Sequence, residues 1–156
     1  MIGNDIVDLR QAANDSDWKR PRFLDKVFTQ KEQTIISSSE TKEQIVWLLW
    51  SMKEAAYKAH IRETKLPFFN PKRIHCQLGL HNEGVVCIDE KMYCLKSIIT
   101  SEYVHSIAMK TDIICPEIHV FKLPKVQQSK TVREKIVRHI SVKNDNLLIG
   151  IKIKKS

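Results

Sequence analysis

The amino-acid sequence predicts an α+β domain, with helices in the first half of the chain and strands in the second. Between residues 42 and 62, apolar residues recur three and four positions apart without Gly or Pro, as in a helix with a buried stripe. Beyond Arg62, short segments alternate apolar and polar residues between turn signals, as half-buried strands do. Helices followed by strands, rather than alternating with them, favour the α+β class.

Composition limits the classes of function. The chain has 156 residues and a formal charge of +8, which favours anionic partners such as phosphates, nucleic acid, anionic lipid or an acidic protein. It lacks a clustered aromatic and basic platform, so RNA binding rests on net charge alone and we expect no nucleic-acid partner. No segment is apolar enough to cross a bilayer, and Asp5 and Asp8 stand where a signal peptide would need other residues. We expect a cytoplasmic protein without membrane association.

The first nine residues predict a short buried strand that carries acidic side chains between apolar ones. A buried acid must be paired, bound to a metal or placed at the end of the strand, because an isolated buried charge is costly. An exposed edge strand is the alternative interpretation. Gly3 would allow another backbone or a ligand to approach closely beside Asp5.

Three helices are predicted to follow this strand. A short helix spans Phe23–Phe28, and Thr29 with Glu32 has the spacing of a capping box for a helix that ends near Ser37. Thr41 and Gln44 have the same spacing at the start of the long helix.

One face of the long helix carries chemically active side chains. Trp50, Glu54 and Lys58 lie four residues apart and stack along one face, whereas Lys53 points elsewhere. Taken alone, Glu54 and Lys58 are better explained as an ordinary surface pair of Glu and Lys, so the helix alone does not assign a function.

The second half predicts strands and turns. Residues 82–84 are predicted to form a hairpin turn. The four cysteines lack the spacing of a zinc site, so we expect them to be core thiols. Residues 131–139 are expected to form a short basic helix. We expect one domain over residues 1–124 and a basic C-terminal extension over residues 125–156 that belongs to the same domain. The predicted strands are Ile74–Leu80, Val85–Ile88, Met92–Ile99, Tyr103–Met109, Ile118–Leu123 and Leu147–Ile153.

Three ordered stretches within residues 2–59 carry a family resemblance. Gly3–Asp5 reads GND, Arg22–Glu32 reads RFLDKVFTQKE, and Trp50–Lys58 reads WSMKEAAYK. Together they resemble the 4′-phosphopantetheinyl transferases, the family that includes holo-acyl-carrier-protein synthase. The resemblance implies that family's fold, with helices packed on an antiparallel sheet.

The resemblance also implies an activity and a site. The family moves 4′-phosphopantetheine from coenzyme A to a serine of an apo acyl or peptidyl carrier protein and releases adenosine 3′,5′-bisphosphate. By resemblance, Asp5 and Glu54 hold Mg²⁺, Glu54 takes the serine proton, and Lys58 contacts a phosphate oxygen. Lys53, Lys58 and Arg22 are the expected coenzyme-binding residues. Mg²⁺ suits this role because it binds carboxylate oxygens and offsets phosphate charge.

Two further expectations concern assembly and activity. Larger family members contain two copies of the fold and build the site between them, so one copy implies a homo-oligomer, by resemblance a trimer. The family often has a histidine where this chain has Met109. The alternative hypothesis is therefore a non-catalytic member that binds coenzyme A or a carrier protein.

Overall fold

The structure, a computed structural model, describes residues 1–68, 70–110, 118–123, 140–144 and 147–153. The chain divides into two compact units, Met1–Lys110 and Thr111–Ser156. The domain boundary that we expected at residue 124 stays a prediction.

The first unit consists of helices packed on a five-stranded antiparallel sheet, as predicted. The strand order is β1-β5-β4-β3-β2, so the first strand of the chain lies at one edge beside the last strand of the unit. A 3₁₀ turn, Pro71–Arg73, precedes β2. The elements are β1 Ile2–Asp8, α1 Leu9–Asp15, α2 Phe23–Val27, α3 Gln30–Ser38, α4 Lys42–Thr64, β2 Ile74–Leu78, β3 Glu83–Ile88, β4 Lys91–Ile99 and β5 Tyr103–Lys110.

Helix α4 forms the centre of the unit. Its apolar residues are largely buried, and the helix packs chiefly against β1 and β5. Small side chains on this helix, Ala55, Ala56 and Ala59, are fully buried. Because their side chains end at Cβ, a strand can lie directly on the helix backbone at this point.

Gly3 makes the closest part of this contact. A Cβ atom added to Gly3 would lie 2.2 Å from the carbonyl oxygen of Ala55 and 2.5 Å from the backbone nitrogen of Ala59. No side chain fits in that space, so the expectation that Gly3 permits close approach is confirmed, and the approaching group is helix backbone. Strand β1 is thereby held against the middle of α4.

The helix caps differ in part from the prediction. Thr29 and Glu32 form the predicted capping box at the start of α3. Thr41 caps α4 without a side-chain hydrogen bond, so the second predicted box is wrong. Helix α1 was not predicted, and Asp8 caps it by accepting a hydrogen bond from the Gln11 backbone N–H at 2.9 Å.

The turn before β3 lies earlier than predicted. His81 and Asn82 have φ angles of 54° and 60°, the left-handed conformation that central residues of a tight hairpin turn adopt. The Glu83 N–H donates to the Leu80 carbonyl at 3.0 Å, and β3 begins at Glu83. The turn therefore uses His81 and Asn82 rather than residues 82–84.

The second unit contains a three-stranded sheet of order β6-β8-β7, with β6 Ile118–Leu123, β7 Ile140–Asn144 and β8 Leu147–Ile153. The predicted strands Ile118–Leu123 and Leu147–Ile153 are therefore confirmed. The basic helix expected over residues 131–139 lies outside the described residues. Cys76 is a buried free thiol, as expected, whereas Cys94 is disulfide-bonded, so that part of the cysteine prediction is wrong.

Among the described residues, no helix combines the length and the hydropathy that a membrane span requires.

We predict that Gly3→Ala destabilises the protein by about 2 kcal/mol or more, because the added methyl group must displace the α4 backbone. Gly79→Ala is the matched control, since its Cβ would meet the nearest atom, the Glu83 carbonyl oxygen, at 3.2 Å. Urea unfolding monitored by circular dichroism measures both. Equal stability of the two variants would contradict the close β1–α4 contact.

A second prediction concerns Glu63 at the end of α4. Lys110 and Lys91 each donate to its Oε1 atom at 2.8 Å. These hydrogen bonds lower the pKa of Glu63 to about 2. Because the folded pKa lies below the unfolded value, the carboxylate stabilises the fold above about pH 4.5 and loses that effect as the pH falls toward 2.

We therefore expect Glu63→Gln to cost on the order of 1 kcal/mol at pH 7, with a difference from wild type that shrinks steadily below about pH 4.5. Unfolding midpoints measured across this pH range test the effect, with Glu90→Gln, an exposed position in the β3–β4 turn, as the control. A difference that stays constant with pH would contradict it.

Candidate functional site

Strand β1 and helix α4 bring Asp5 and Lys58 together. The Lys58 Nζ atom lies 2.8 Å from the Asp5 Oδ1 atom. The Asp5 side chain is 1% exposed, whereas that of Lys58 is 32% exposed. The carboxylate is thus held in the interior, and the ammonium group beside it is accessible from solvent.

The backbone of β1 is fixed along the same face of α4. The Ser51 hydroxyl donates to the Asp5 carbonyl at 3.2 Å, and the Arg62 guanidinium donates to the Ile2 carbonyl at 2.7 Å. Asp5 therefore lies over the helix surface between Ser51 and Lys58. Glu54 occupies the same stretch of α4, one turn before Lys58 and partly exposed.

Glu54 opens into a cleft of about 500 Å³. Its lining is mostly apolar and aromatic, with basic side chains at several points. Tyr57 and Phe68 meet edge to face with ring centroids 5.2 Å apart, and the Arg73 guanidinium lies 4.6 Å from the Phe68 ring centroid. The lining includes Arg20, Phe23, Lys26, Trp50, Glu54 and Pro71.

Lys53, the residue before Glu54, lies in the interior. Its Nζ atom is 2.9 Å from the Glu32 Oε2 atom and 2.9 Å from the Pro71 carbonyl oxygen, and it also donates to the Ile74 carbonyl. The side chain is 3% exposed. A role for Lys53 in coenzyme binding stays a prediction, and this arrangement does not favour it.

Arg22 lies at the start of α2 and is exposed, with a φ of 66°. It is not among the described residues that line the cleft, whereas Arg20 and Lys26 are. The structure therefore brings the neighbours of Arg22, rather than Arg22 itself, beside Glu54. Its role as a coenzyme ligand stays a prediction.

His105 is a buried residue near the site that sequence reasoning missed. Its side chain is fully buried, and its Nε2 atom lies 3.5 Å from the Asn4 Nδ2 atom. Burial lowers its pKa to about 4, the nearby Asp5 charge opposes this, and Lys58 adds to it. The imidazole is therefore neutral at pH 7. The strand pattern could have indicated its burial but not its proximity to Asp5, which depends on β1–β5 pairing.

The pairing of Asp5 and Glu54 as oxygen ligands of one metal ion stays a prediction, with Asp5 on β1 and Glu54 on the adjoining helix α4. Two carboxylates on neighbouring elements suit Mg²⁺, which needs only one or two protein carboxylates and keeps several waters. Within the described ranges, no group of three or more His, Cys, Asp or Glu side chains has an arrangement that could hold a metal. The residues present fit a magnesium ion shared with a ligand, rather than a closed protein cage.

Comparisons with solved structures support the same fold. The chain is similar to holo-[acyl-carrier-protein] synthase of Helicobacter pylori, solved in complex with coenzyme A, at 14% identity and a TM-score of 0.57. That likeness covers 71% of this chain and 100% of that one. It is also similar to holo-[acyl-carrier-protein] synthase of Thermotoga maritima, at 12% identity and a TM-score of 0.56, over 96% of this chain and 81% of that one. No curated protein matches the chain.

The predicted fold, helices on an antiparallel sheet in the arrangement of these synthases, is thus confirmed. The family model of the 4′-phosphopantetheinyl transferase superfamily matches residues 1–108, which include β1, α4 and the residues that line the cleft. The match covers more than half of the sequence and contains all three stretches on which the resemblance was based. The chain belongs to the 4′-phosphopantetheinyl transferase superfamily.

Proposed function

We propose that this protein transfers 4′-phosphopantetheine from coenzyme A to a serine of an apo carrier protein. The observation that carries the proposal is the contact of buried Asp5 with Lys58, one helical turn from Glu54, in a chain of this superfamily. The similar H. pylori synthase was solved with coenzyme A, which supports coenzyme A as the donor substrate.

The chemistry requires stabilisation of negative charge. The serine hydroxyl oxygen forms a bond to the phosphorus that bears pantetheine, while the bond from that phosphorus to the adenosine 3′,5′-bisphosphate oxygen breaks. The serine proton must leave as the new ester forms, and we assign Glu54 as the general base that accepts it. Charge develops on the transferred phosphoryl group and on the leaving phosphate.

Lys58 supplies positive charge at this point. An ammonium group has three N–H donors, so Lys58 can hold Asp5 and a phosphate oxygen at the same time. Its partial exposure leaves the ammonium group accessible to a substrate. Its ion pair with Asp5, on the strand that packs against α4, fixes its position. A preorganised cation of this kind stabilises a developing charge without reorganisation during the reaction.

Asp5 and Glu54 are the residues that would hold Mg²⁺ in this proposal. When bound, the ion neutralises pyrophosphate charge and orients the leaving group. The burial of Asp5 supports the assignment, because a carboxylate in the interior interacts more strongly with a cation than an exposed one does.

The cleft is the proposed contact surface for the carrier protein. Arg20 and Lys26 place positive charge at its edge, and Phe23 and Trp50 supply aromatic contact area beside Glu54. Complementary charge raises the rate of encounter with an acidic partner, and buried aromatic side chains contribute most to affinity.

We also propose that the protein is a cytoplasmic homotrimer with coenzyme A between subunits. The likeness to the H. pylori synthase covers the whole of that chain, so this protein contains one copy of the fold. Sedimentation analysis tests the assembly, and a fully active monomer would contradict it.

We predict that Asp5→Asn and Glu54→Gln each lower the rate of transfer at least about 100-fold, because each removes a carboxylate charge from the proposed site. Mass spectrometry of an apo carrier protein incubated with coenzyme A, Mg²⁺ and enzyme measures the transfer. Asp8→Asn and Glu43→Gln are matched controls. Asn still caps a helix, and Glu43 lies in the first turn of α4, so both should retain activity.

Wild-type protein that binds coenzyme A but modifies none of a broad set of acyl and peptidyl carriers would favour the non-catalytic alternative. Equal activity of the site variants and their controls would remove Asp5 and Glu54 from the mechanism.

A further inference from the structure

A buried ion pair lies at the wall of the cleft, which Lys53 itself helps to line. It joins Glu32 of α3 to Lys53 of α4, whose side chains are 1% and 3% exposed. Two charges removed from water are costly unless their attraction and additional hydrogen bonds compensate. The other partners of both groups therefore indicate what this pair holds in place.

Lys53 is bonded to the wall of the cleft. Its ammonium donates to the Pro71 carbonyl at 2.9 Å and to the Ile74 carbonyl, and both of these residues line the cleft. An ammonium has three N–H donors, and Glu32, Pro71 and Ile74 supply three acceptors. To reach a coenzyme phosphate, Lys53 would have to leave a buried acceptor without its donor, which is unfavourable.

Glu32 holds the other side of the same connection. Its Oε1 atom accepts a hydrogen bond from the Cys76 backbone N–H at 2.8 Å, and its Oε2 atom accepts one from the Thr29 N–H at 2.8 Å. One carboxylate thus fixes the start of α3 and the middle of β2. Polar contacts therefore connect α3, through Lys53 of α4, to the Pro71–Ile74 segment that forms the cleft wall.

We propose that the Glu32–Lys53 pair is a positioning pair that sets the cleft wall at Pro71–Ile74 relative to Glu54. Lys53 and Glu54 are consecutive on α4, so one helical turn carries both the anchor of the wall and the proposed base. If the proposed function holds, this pair governs how the carrier protein fits the cleft. Lys53 is then not a coenzyme ligand.

The test uses the double variant Glu32→Gln/Lys53→Met. Either single change leaves a buried charge without its partner and risks unfolding, whereas the double change removes both charges and keeps similar volumes. We expect this variant to fold and to bind coenzyme A with a Kd within about twofold of wild type, as measured by calorimetry. Its KM for the apo carrier rises about tenfold or more, because the wall is displaced.

Lys91→Met is the matched control. It also removes a lysine that pairs with a glutamate, Glu63, but Lys91 does not line the cleft. We expect its carrier KM to stay at the wild-type value.

Amide hydrogen exchange measures the positioning without coenzyme or carrier. The backbone amides of Arg73, Ile74 and Cys76 should exchange faster in the double variant than in wild type or in Lys91→Met, because their segment loses its anchor. If wild type transfers nothing to any carrier while this acceleration is present, the proposed function fails and the positioning pair stands.

Two results would overturn the inference. A folded double variant with unchanged amide exchange and unchanged carrier KM would reduce the pair to a general stabilising contact. A Kd for coenzyme A that rises about tenfold or more, with unchanged carrier KM, would make Lys53 a coenzyme ligand.

Discussion

The candidate site depends on the contact of strand β1 with the backbone of helix α4. Gly3 lacks the Cβ that would collide with the Ala55 carbonyl, and Ala55 and Ala59 have side chains short enough to leave room for the strand. Because the two backbones meet here, Asp5, the next position on the same face of the strand, lies at hydrogen-bond distance from Lys58. A small residue in the strand therefore determines where a charged one lies.

That contact also sets the electrostatics. A carboxylate that is 1% exposed interacts strongly with any nearby charge, and here that charge is the Lys58 ammonium at 2.8 Å. The same field reaches His105, whose pKa is lowered to about 4 by burial and only partly raised by Asp5. The Lys58 ammonium compensates the buried Asp5 charge in the absence of substrate, and in the proposed function it also contacts a phosphate oxygen.

Much of this arrangement could be predicted from sequence, because it depends on local patterns. The apolar spacing of α4 and the box formed by Thr29 and Glu32 are local signals, and both are present in the structure. The pairing of Asp5 with Glu54 in one site came from family resemblance, since no local rule places residue 5 beside α4. The capping box at Thr41 failed because spacing alone does not fix the backbone angles that a cap requires.

Tertiary contacts explain what sequence reasoning missed. Glu32 was assigned to a cap, and it does cap α3, but its second oxygen also receives the Cys76 N–H from a strand 44 positions later in the chain. The buried position of Lys53 was missed for the same reason, because its partners lie on α3 and on the segment before β2. Side chains that join distant elements are set by packing, which periodicity along one helix does not encode.

The most direct test of the account is a crystal structure of the protein with coenzyme A and Mg²⁺. The account predicts one magnesium ion bound by oxygen atoms of both Asp5 and Glu54 at about 2.0–2.1 Å, with Lys58 on a phosphate oxygen. A magnesium ion bound without either carboxylate, with coenzyme A remote from the face that Asp5 and Glu54 share, would contradict it.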